Sequence, residues 1–367
     1  MSYKKQALEY LGIQKWHDMG YKGQGIKIMS DEKVCEKDHG DVISPKGFKS
    51  KRGHGDDVML HIKYGAPEAT FIAFPFSGSF GSNSYTCECA QYIMSNDVSI
   101  FTTSCLSAHA SVGKEMAMQD CIDKGCIFFA AAGNDGDMSS PSGSSEVHGE
   151  SRSEKYYAIG GVKPKWTGKY ENNDEEDGEA IYDFSKIEPV RYSSEGPEMD
   201  FVTLAETHVA TGTSFCAPLF AAMVGLVQQF FIEKAGRKLT RAEMEKFIKD
   251  NVQDMKDEGF DYKTGHGLFR LPDPTTIDIK KYTGEAPEAE APVVPEQPKT
   301  PNIGEGEMLL TIDSKDVQVG GITKTFDVAP FIKDNRTFVP IRVLEALGLS
   351  VEWKADTRQV VVVREGK

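Results

Sequence analysis

The segment "TGTSFCAPLFAAMVGLV", residues 211–227, passes from small turn-forming residues into a nearly unbroken apolar run that continues through "QQFFIEKAG" to residue 236. A helix that is apolar on every side has to be surrounded by protein, so this stretch predicts a central helix at 219–236 packed inside a sizeable domain. Ser214, preceded by Gly212 and Thr213, stands just before that helix. Its Oγ would project from a tight turn at the positive end of the helix dipole. Pro218 is expected in the first turn, where a missing N–H is tolerated. A lone Gly-Thr-Ser is also an ordinary helix cap, so the serine acquires chemical meaning only if other segments supply partners.

Around this helix the chain alternates short β-rich runs with helical patterns. "IKIM" (26–29), "ATFIAF" (69–74), "VSIFTTS" (98–104), "CIFFAAA" (126–132) and "YYAIGGV" (156–162) read as strands. "SVGKEMAMQDCIDKG" (111–125) reads as a helix with Val112, Met116, Met118 and Ile122 near one face, and "TRAEMEKFIKDNV" as another, opened by Thr240 and Glu243 at capping-box spacing. That order implies an α/β fold with a central parallel sheet flanked by helices over residues 1–278. Residues 279–306 are rich in Pro and Glu and carry no periodicity, which predicts an extended linker able to reach about 70 Å. Residues 307–367 predict a small α+β domain, with "MLLTIDSKDVQVGG" and "VVVVREGK" as strands around a helix, "PIRVLEALG", closed by Gly348.

The net charge of −14 disfavours nucleic acid as a partner. The first twenty residues contain no apolar run of signal-peptide length and no later segment reads as a membrane span, which points to the cytoplasm. Seven cysteines, an odd number without framework spacing, read as buried free thiols.

Two further segments supply partners for Ser214. "GHGDDV" (53–58) sets His54 between glycines, so that backbone can approach the imidazole closely, and "FFAAAGNDG" (128–136) ends a buried strand in Asn134, an amide donor at the carboxyl end of a parallel sheet. A serine nucleophile, a histidine base and an oxyanion donor are the parts of an acyl-transfer site. Taken together and in this order, "GHGDDV…GAPEATFIAF", "AAAGNDG" and "GTSFCAPLFAAMVGL" resemble the histidine, asparagine and serine boxes of the subtilisin-like serine proteases, over roughly residues 8–275. The resemblance implies a serine endopeptidase acting on proteins or peptides, with Ser214 attacking, His54 as base and Asn134 in the oxyanion site.

The third triad member is sought in "GIKIMSDEKV" (25–34). Counting from Gly25 and from "HGDV" at His39 selects Glu32, and strand alternation puts Ile26, Ile28, Ser30 and Glu32 on one face. "DEKV", read against the family's D-T-G-V, selects Asp31 instead, at the cost of turning Lys27 toward the core. The alternative to an enzyme is a catalytically impaired pseudoprotease that serves as a binding scaffold. Other departures are Cys216, where the family has alanine, and Asp56 and Asp57, which would raise the pKa of His54 if they faced it. The segment after the histidine box lacks the loop that holds calcium in many relatives, so no metal site is carried over and no cofactor is required. Calcium at the acidic stretch 171–179 is the exception left open, although a solvated hairpin tip fits it better. "SIFTTSCLS" resembles the family's substrate-pairing edge strand, with Thr103, Ser104, Cys105 and Leu106 as binding residues. Secreted relatives carry a prodomain; this chain opens on the catalytic domain, so it folds unaided or has been trimmed. Residues 307–367, with Arg336, Pro340, Arg342, Glu345, Leu347, Gly348 and Trp353, resemble the copper amine oxidase N-terminal-like, or stalk, domain of Gram-positive surface proteins. That resemblance implies attachment to a cell envelope, or to a phage particle, rather than copper binding.

Overall fold

A computed structural model describes residues 3–75, 83–104, 112–136, 146–147, 149–170, 180–205, 211–284 and, with short interruptions, 308–364. Two helices, α1 (Tyr3–Tyr10) and α2 (Ile13–Asp18), precede β1 (Lys27–Ser30). Then come α3 (Glu36–His39), α4 (His54–Gly65), β2 (Thr70–Ala73), α5 (Asn83–Ser95), β3 (Ile100–Thr103), α6 (Val112–Asp123) and β4 (Ile127–Ala131). β5 (Tyr156–Tyr170), β6 (Ala180–Pro189) and β7 (Met199–Leu204) lead into α7 (Thr213–Ala235), α8 (Arg241–Lys249), β8 (Val252–Gln253), β9 (Leu268–Phe269) and α9 (Lys280–Thr283). The strands join in the order β2-β1-β3-β4-β5-β7-β9-β8, with β6 paired to the outer half of β5. Pairing is parallel from β2 through to β9; only β6 and β8 run antiparallel to their neighbours.

Side-chain alternation divides the core between the two faces of this sheet. Ile28, Ile100, Ile127, Phe129 and Tyr157 meet α4, α7 and α8 on one side. Met29, Ile72, Phe101, Phe128 and Tyr156 meet α5 and α6 on the other. The central helix α7 is the one described helix long and apolar enough to cross a membrane, and it is instead buried on one face of the sheet. It packs on α4 where Gly65 faces Ala222, a pair without bulk that lets the two backbones close up. The cysteines described, Cys35, Cys89, Cys121, Cys126 and Cys216, are buried free thiols, and burial pushes Cys121 up to about 12.

Several expectations require correction. α7 begins at Thr213, six residues before the predicted start, so Pro218 lies beyond the first turn. β6 and β7 escape the sequence pattern. In β7 the polar Asp200 interrupts the alternation, yet its carboxylate accepts the Ala158 amide at 2.7 Å, where the β5–β7 register shifts. Met116 on α6 is exposed, because the buried face runs through Met118 and Cys121. α8 does carry its capping box, with Thr240 Oγ1 accepting from Glu243 N and Glu243 from Thr240 N.

The chain divides into two units, 1–286 and 287–367. α9, which lies past the predicted boundary at 278, belongs to the first through Tyr282 stacked edge-on to Phe247. In the second, β10 (Met308–Leu310), β11 (Asp316–Val319) and β12 (Ile322–Thr325) form one antiparallel sheet, and β10 and β11 divide the stretch 308–321 where a single strand was expected. β13 (Phe331–Lys333) pairs with β14 (Arg336–Phe338), and β15 (Leu349–Lys354) with β16 (Gln359–Arg364). The predicted helix is a 3₁₀ helix, Ile341–Leu347, opened by a Val343 N to Pro340 O bond.

Candidate active site

Glu32 lies two residues past the end of β1, on the face shared by Ile28. His54 is the first residue of α4. Between them His54 Nδ1 and Glu32 Oε1 are 2.7 Å apart, a charge-assisted hydrogen bond. The Glu32 side chain is 10% exposed and that of His54 45%, so the bond is made at a buried carboxylate while the rest of the ring stays open. Gly55 makes this approach possible. A Cβ there would lie 2.7 Å from the Lys33 carbonyl oxygen and 2.9 Å from both Glu32 Cβ and Oε2. The Glu32 bond raises the His54 pKa, burial opposes it, and the charges of Glu32 and Asp57 add to the rise.

Asp56 does not face His54. It is fully buried and accepts from Cys35 N and Gly53 N, both at 2.7 Å, with Lys49 Nζ 2.9 Å away. These bonds outweigh burial and hold its carboxyl below the usual range. Asp57 is paired with Arg52 and adds only a lesser part of the His54 shift. Asp56 therefore fastens the loop after Glu32 to the start of the helix that presents His54. Asp56→Ala is expected to cost about 3 kcal/mol by leaving those donors and Lys49 without their acceptor, read as a lower thermal midpoint, with Asp56→Asn intermediate. A midpoint unchanged in Asp56→Ala would show the tie to be dispensable.

The nucleophile candidate is placed by a second set of bonds. Gly212, the residue before α7, has φ +139°, a conformation open to glycine, and offers no capping side chain. The helix start is held from outside instead. Asn134 Oδ1 accepts from Thr213 N at 2.9 Å and from Thr213 Oγ1 at 3.0 Å, while Thr213 Oγ1 accepts from Gly133 N at 3.2 Å. With its oxygen committed to two donors, the exposed Asn134 amide must turn its NH₂ outward. Ser214, half-buried, follows Thr213, and the Phe215 ring lies 5.6 Å from the His54 ring and stacks on buried His61 at 4.7 Å. Cys216 fits the place of an alanine: it is buried, with Sγ 3.7 Å from Gly212 O.

Residues 39–267 match the model of the subtilase family, and residues 298–362 that of the copper amine oxidase N-terminal domain. The chain belongs to the subtilase family. No curated protein matches significantly. Among solved structures, a lanthipeptide protease is 17% identical, covering 74% of this chain and 94% of its own (TM-score 0.52). The prenylagaramide maturation protease PagA is 17% identical over 74% of this chain and 99% of its own (0.55). The S41 psychrophilic protease is 15% identical over 68% and 93% (0.51). At such identities these structures speak for the fold.

In this subtilase the other candidate acid, Asp31, points to the opposite side of the sheet. Its Oδ2 accepts from Thr103 Oγ1 at 2.6 Å, and Oδ1 is shut off from solvent. Burial, then the neighbouring Glu32 charge, push its pKa well up, against the pull of the Thr103 bond. Thr103 is not at a sheet edge, since β3 lies between β1 and β4 and Thr103 pairs with Ala130. Ser104 turns its hydroxyl to the Ser214 carbonyl oxygen, 2.7 Å away. Cys105, Leu106 and the acidic stretch 171–179 lie outside the described residues. Among those described, no three His, Cys, Asp or Glu side chains are grouped to hold a metal ion. Sequence reading missed the roles of Asp56 and Ser104; an aspartate three residues after a glycine at a helix start was the available signal for the first.

Proposed function

We propose that the chain is a serine endopeptidase that cleaves protein or peptide substrates through an acyl-enzyme on Ser214. The observation that carries this reading is the Glu32–His54 bond, because it leaves Nδ1 bearing the proton and Nε2 free to act as base. In the first half-reaction Nε2 takes the Ser214 Oγ proton as Oγ bonds to the scissile carbonyl carbon. The carbonyl electron pair moves to oxygen, where the Asn134 NH₂ donates to it. Collapse expels the amine, which leaves with the proton held on His54. Water then repeats the sequence, and the acid product is released from Ser214. Glu32 keeps the ring in the working tautomer and stabilises the transient imidazolium.

A fluorophosphonate probe tests this reading. One mole of probe should attach per mole of protein, at Ser214. Folded protein that takes up no probe overturns the proposal.

The raised His54 pKa has a signed consequence. Since the base works only as neutral imidazole, kcat/KM should fall with acid through a midpoint above histidine's ordinary 6.5. For stability the sign is opposite: the pair contributes fully below pH 6.5, and that contribution is lost as pH rises through the folded-state value. A midpoint at or below 6.5 would contradict the assigned environment of His54. We further propose that residues 307–367 serve to attach the peptidase, a reading supported by the matched domain model rather than by any contact.

A further inference from the structure

An α-helical carbonyl bonds to the N–H four residues on. For Ser214, the second residue of α7, that partner is residue 218, and residue 218 is proline. Pro218 has no N–H to give, and its ring pushes against the carbonyl four residues back. The nucleophile's own carbonyl is therefore left without its helical donor, inside the first turn of a helix whose cap residue is a glycine. The vacancy is filled from another strand: Ser104 Oγ–H donates to Ser214 O at 2.7 Å across 110 residues of sequence. Ser104 is 9% exposed, so water is a poor substitute for the hydroxyl.

We propose that Ser104 is a positioning residue for the nucleophile, its hydroxyl replacing the amide that Pro218 withholds from the Ser214 carbonyl. Asn134, just past β4, holds the same turn through Thr213 N, so the ends of two adjacent strands grip consecutive residues of the helix start. The preceding residue, Thr103, bonds Asp31 beside Glu32. Two successive side chains at the end of β3 thus reach the acid's segment and the nucleophile's segment. Without Ser104 the turn carrying Ser214 would relax away from His54, while His54 and its bond to Glu32 would be untouched. The proposal rests on the peptidase reading for its catalytic effect, but the hydrogen bond can be measured without it.

The test is a double-mutant cycle of Ser104→Ala and Pro218→Ala in the full chain, because the second substitution restores the missing N–H. Ser104→Ala alone should slow fluorophosphonate labelling about tenfold, consistent with the loss of one buried bond that orients a reacting group. Peptide turnover should show the loss in kcat rather than KM, with the acid limb of the pH profile unmoved. In the Pro218→Ala background the same substitution should change labelling by less than about threefold, since the restored backbone N–H now occupies the carbonyl. Thermal midpoints of the four proteins should show the same coupling. Equal losses in both backgrounds, or Ser104→Ala labelling at the wild-type rate, would overturn the proposal. Wild type that does not label would remove the peptidase reading; the thermal cycle would then decide by itself, with additive midpoints ruling out the complementation of Pro218 by Ser104.

Discussion

Ser214→Ala should abolish fluorophosphonate labelling and reduce peptide turnover by about 10⁶, the scale measured when serine or histidine is removed from a subtilisin triad. The reasoning is local. Alanine removes the atom that bonds to the substrate carbonyl but leaves the backbone of the first α7 turn, whose carbonyl rather than side chain takes the Ser104 bond. The thermal midpoint should therefore stay within about 1 °C of wild type. His54→Ala should lose as much turnover, because Oγ without a base is a weak nucleophile, and the two losses should not add. Stoichiometric labelling that persists in Ser214→Ala would place the nucleophile elsewhere in the molecule.

Glu32→Gln is the second large effect, expected near 10⁴ in kcat, the loss seen when a triad carboxylate becomes an amide. Glutamine preserves the length of the side chain, but its NH₂ can face His54 Nδ1, which then holds no proton, and the reactive edge of the ring is left in the wrong tautomer. With the carboxylate gone, the main force raising the His54 pKa disappears, so the acid limb should also move downward. Asp31→Asn provides the contrast. The Asp31 carboxyl lies on the other side of the sheet from His54 and takes its bond from Thr103, a hydroxyl that an asparagine oxygen accepts equally well. Activity within about threefold of wild type is expected there. The reverse ranking, with Asp31→Asn the greater loss, would make Asp31 the partner of His54.

The parts of this molecule that were legible beforehand depend on periodicity or on small-residue motifs. β1 through β5 announce themselves as short apolar runs, and alternation in "IKIMSDE" already sets Glu32 with Ile26 and Ile28 and Asp31 with Lys27 and Met29. The observed Lys27 ammonium reaches the Asn96 carbonyl at 2.5 Å instead of the core. What escaped were side chains whose role is set by a partner far along the chain. Asp56 looked like a charge set against His54, and only the folded loop reveals Cys35 N and Lys49 as its counterparts. Ser104 looked like part of a substrate strand until α7 was seen to begin at Thr213, which turns Pro218 from a harmless starter into a missing donor. β7 was hidden because Asp200 serves the backbone of β5. In the second unit the helix stands where it was read, but over Ile341–Leu347 it takes 3₁₀ geometry, a choice that local pattern does not make.

On the chemistry proposed, the contact of Gly65 with Ala222 bears on when this subtilase would first be able to cut. α4 carries the proposed base and α7 the proposed nucleophile some 160 residues later, so during translation the one emerges well before the other. Docking of the two helices at that narrow crossing is the event that brings both groups to one place, and it requires the sheet face on which both helices pack to be assembled. On the chemistry proposed, the order of the chain works as a safety interlock. A ribosome-bound or partly folded copy can be cut by a finished neighbour, but cannot itself cut.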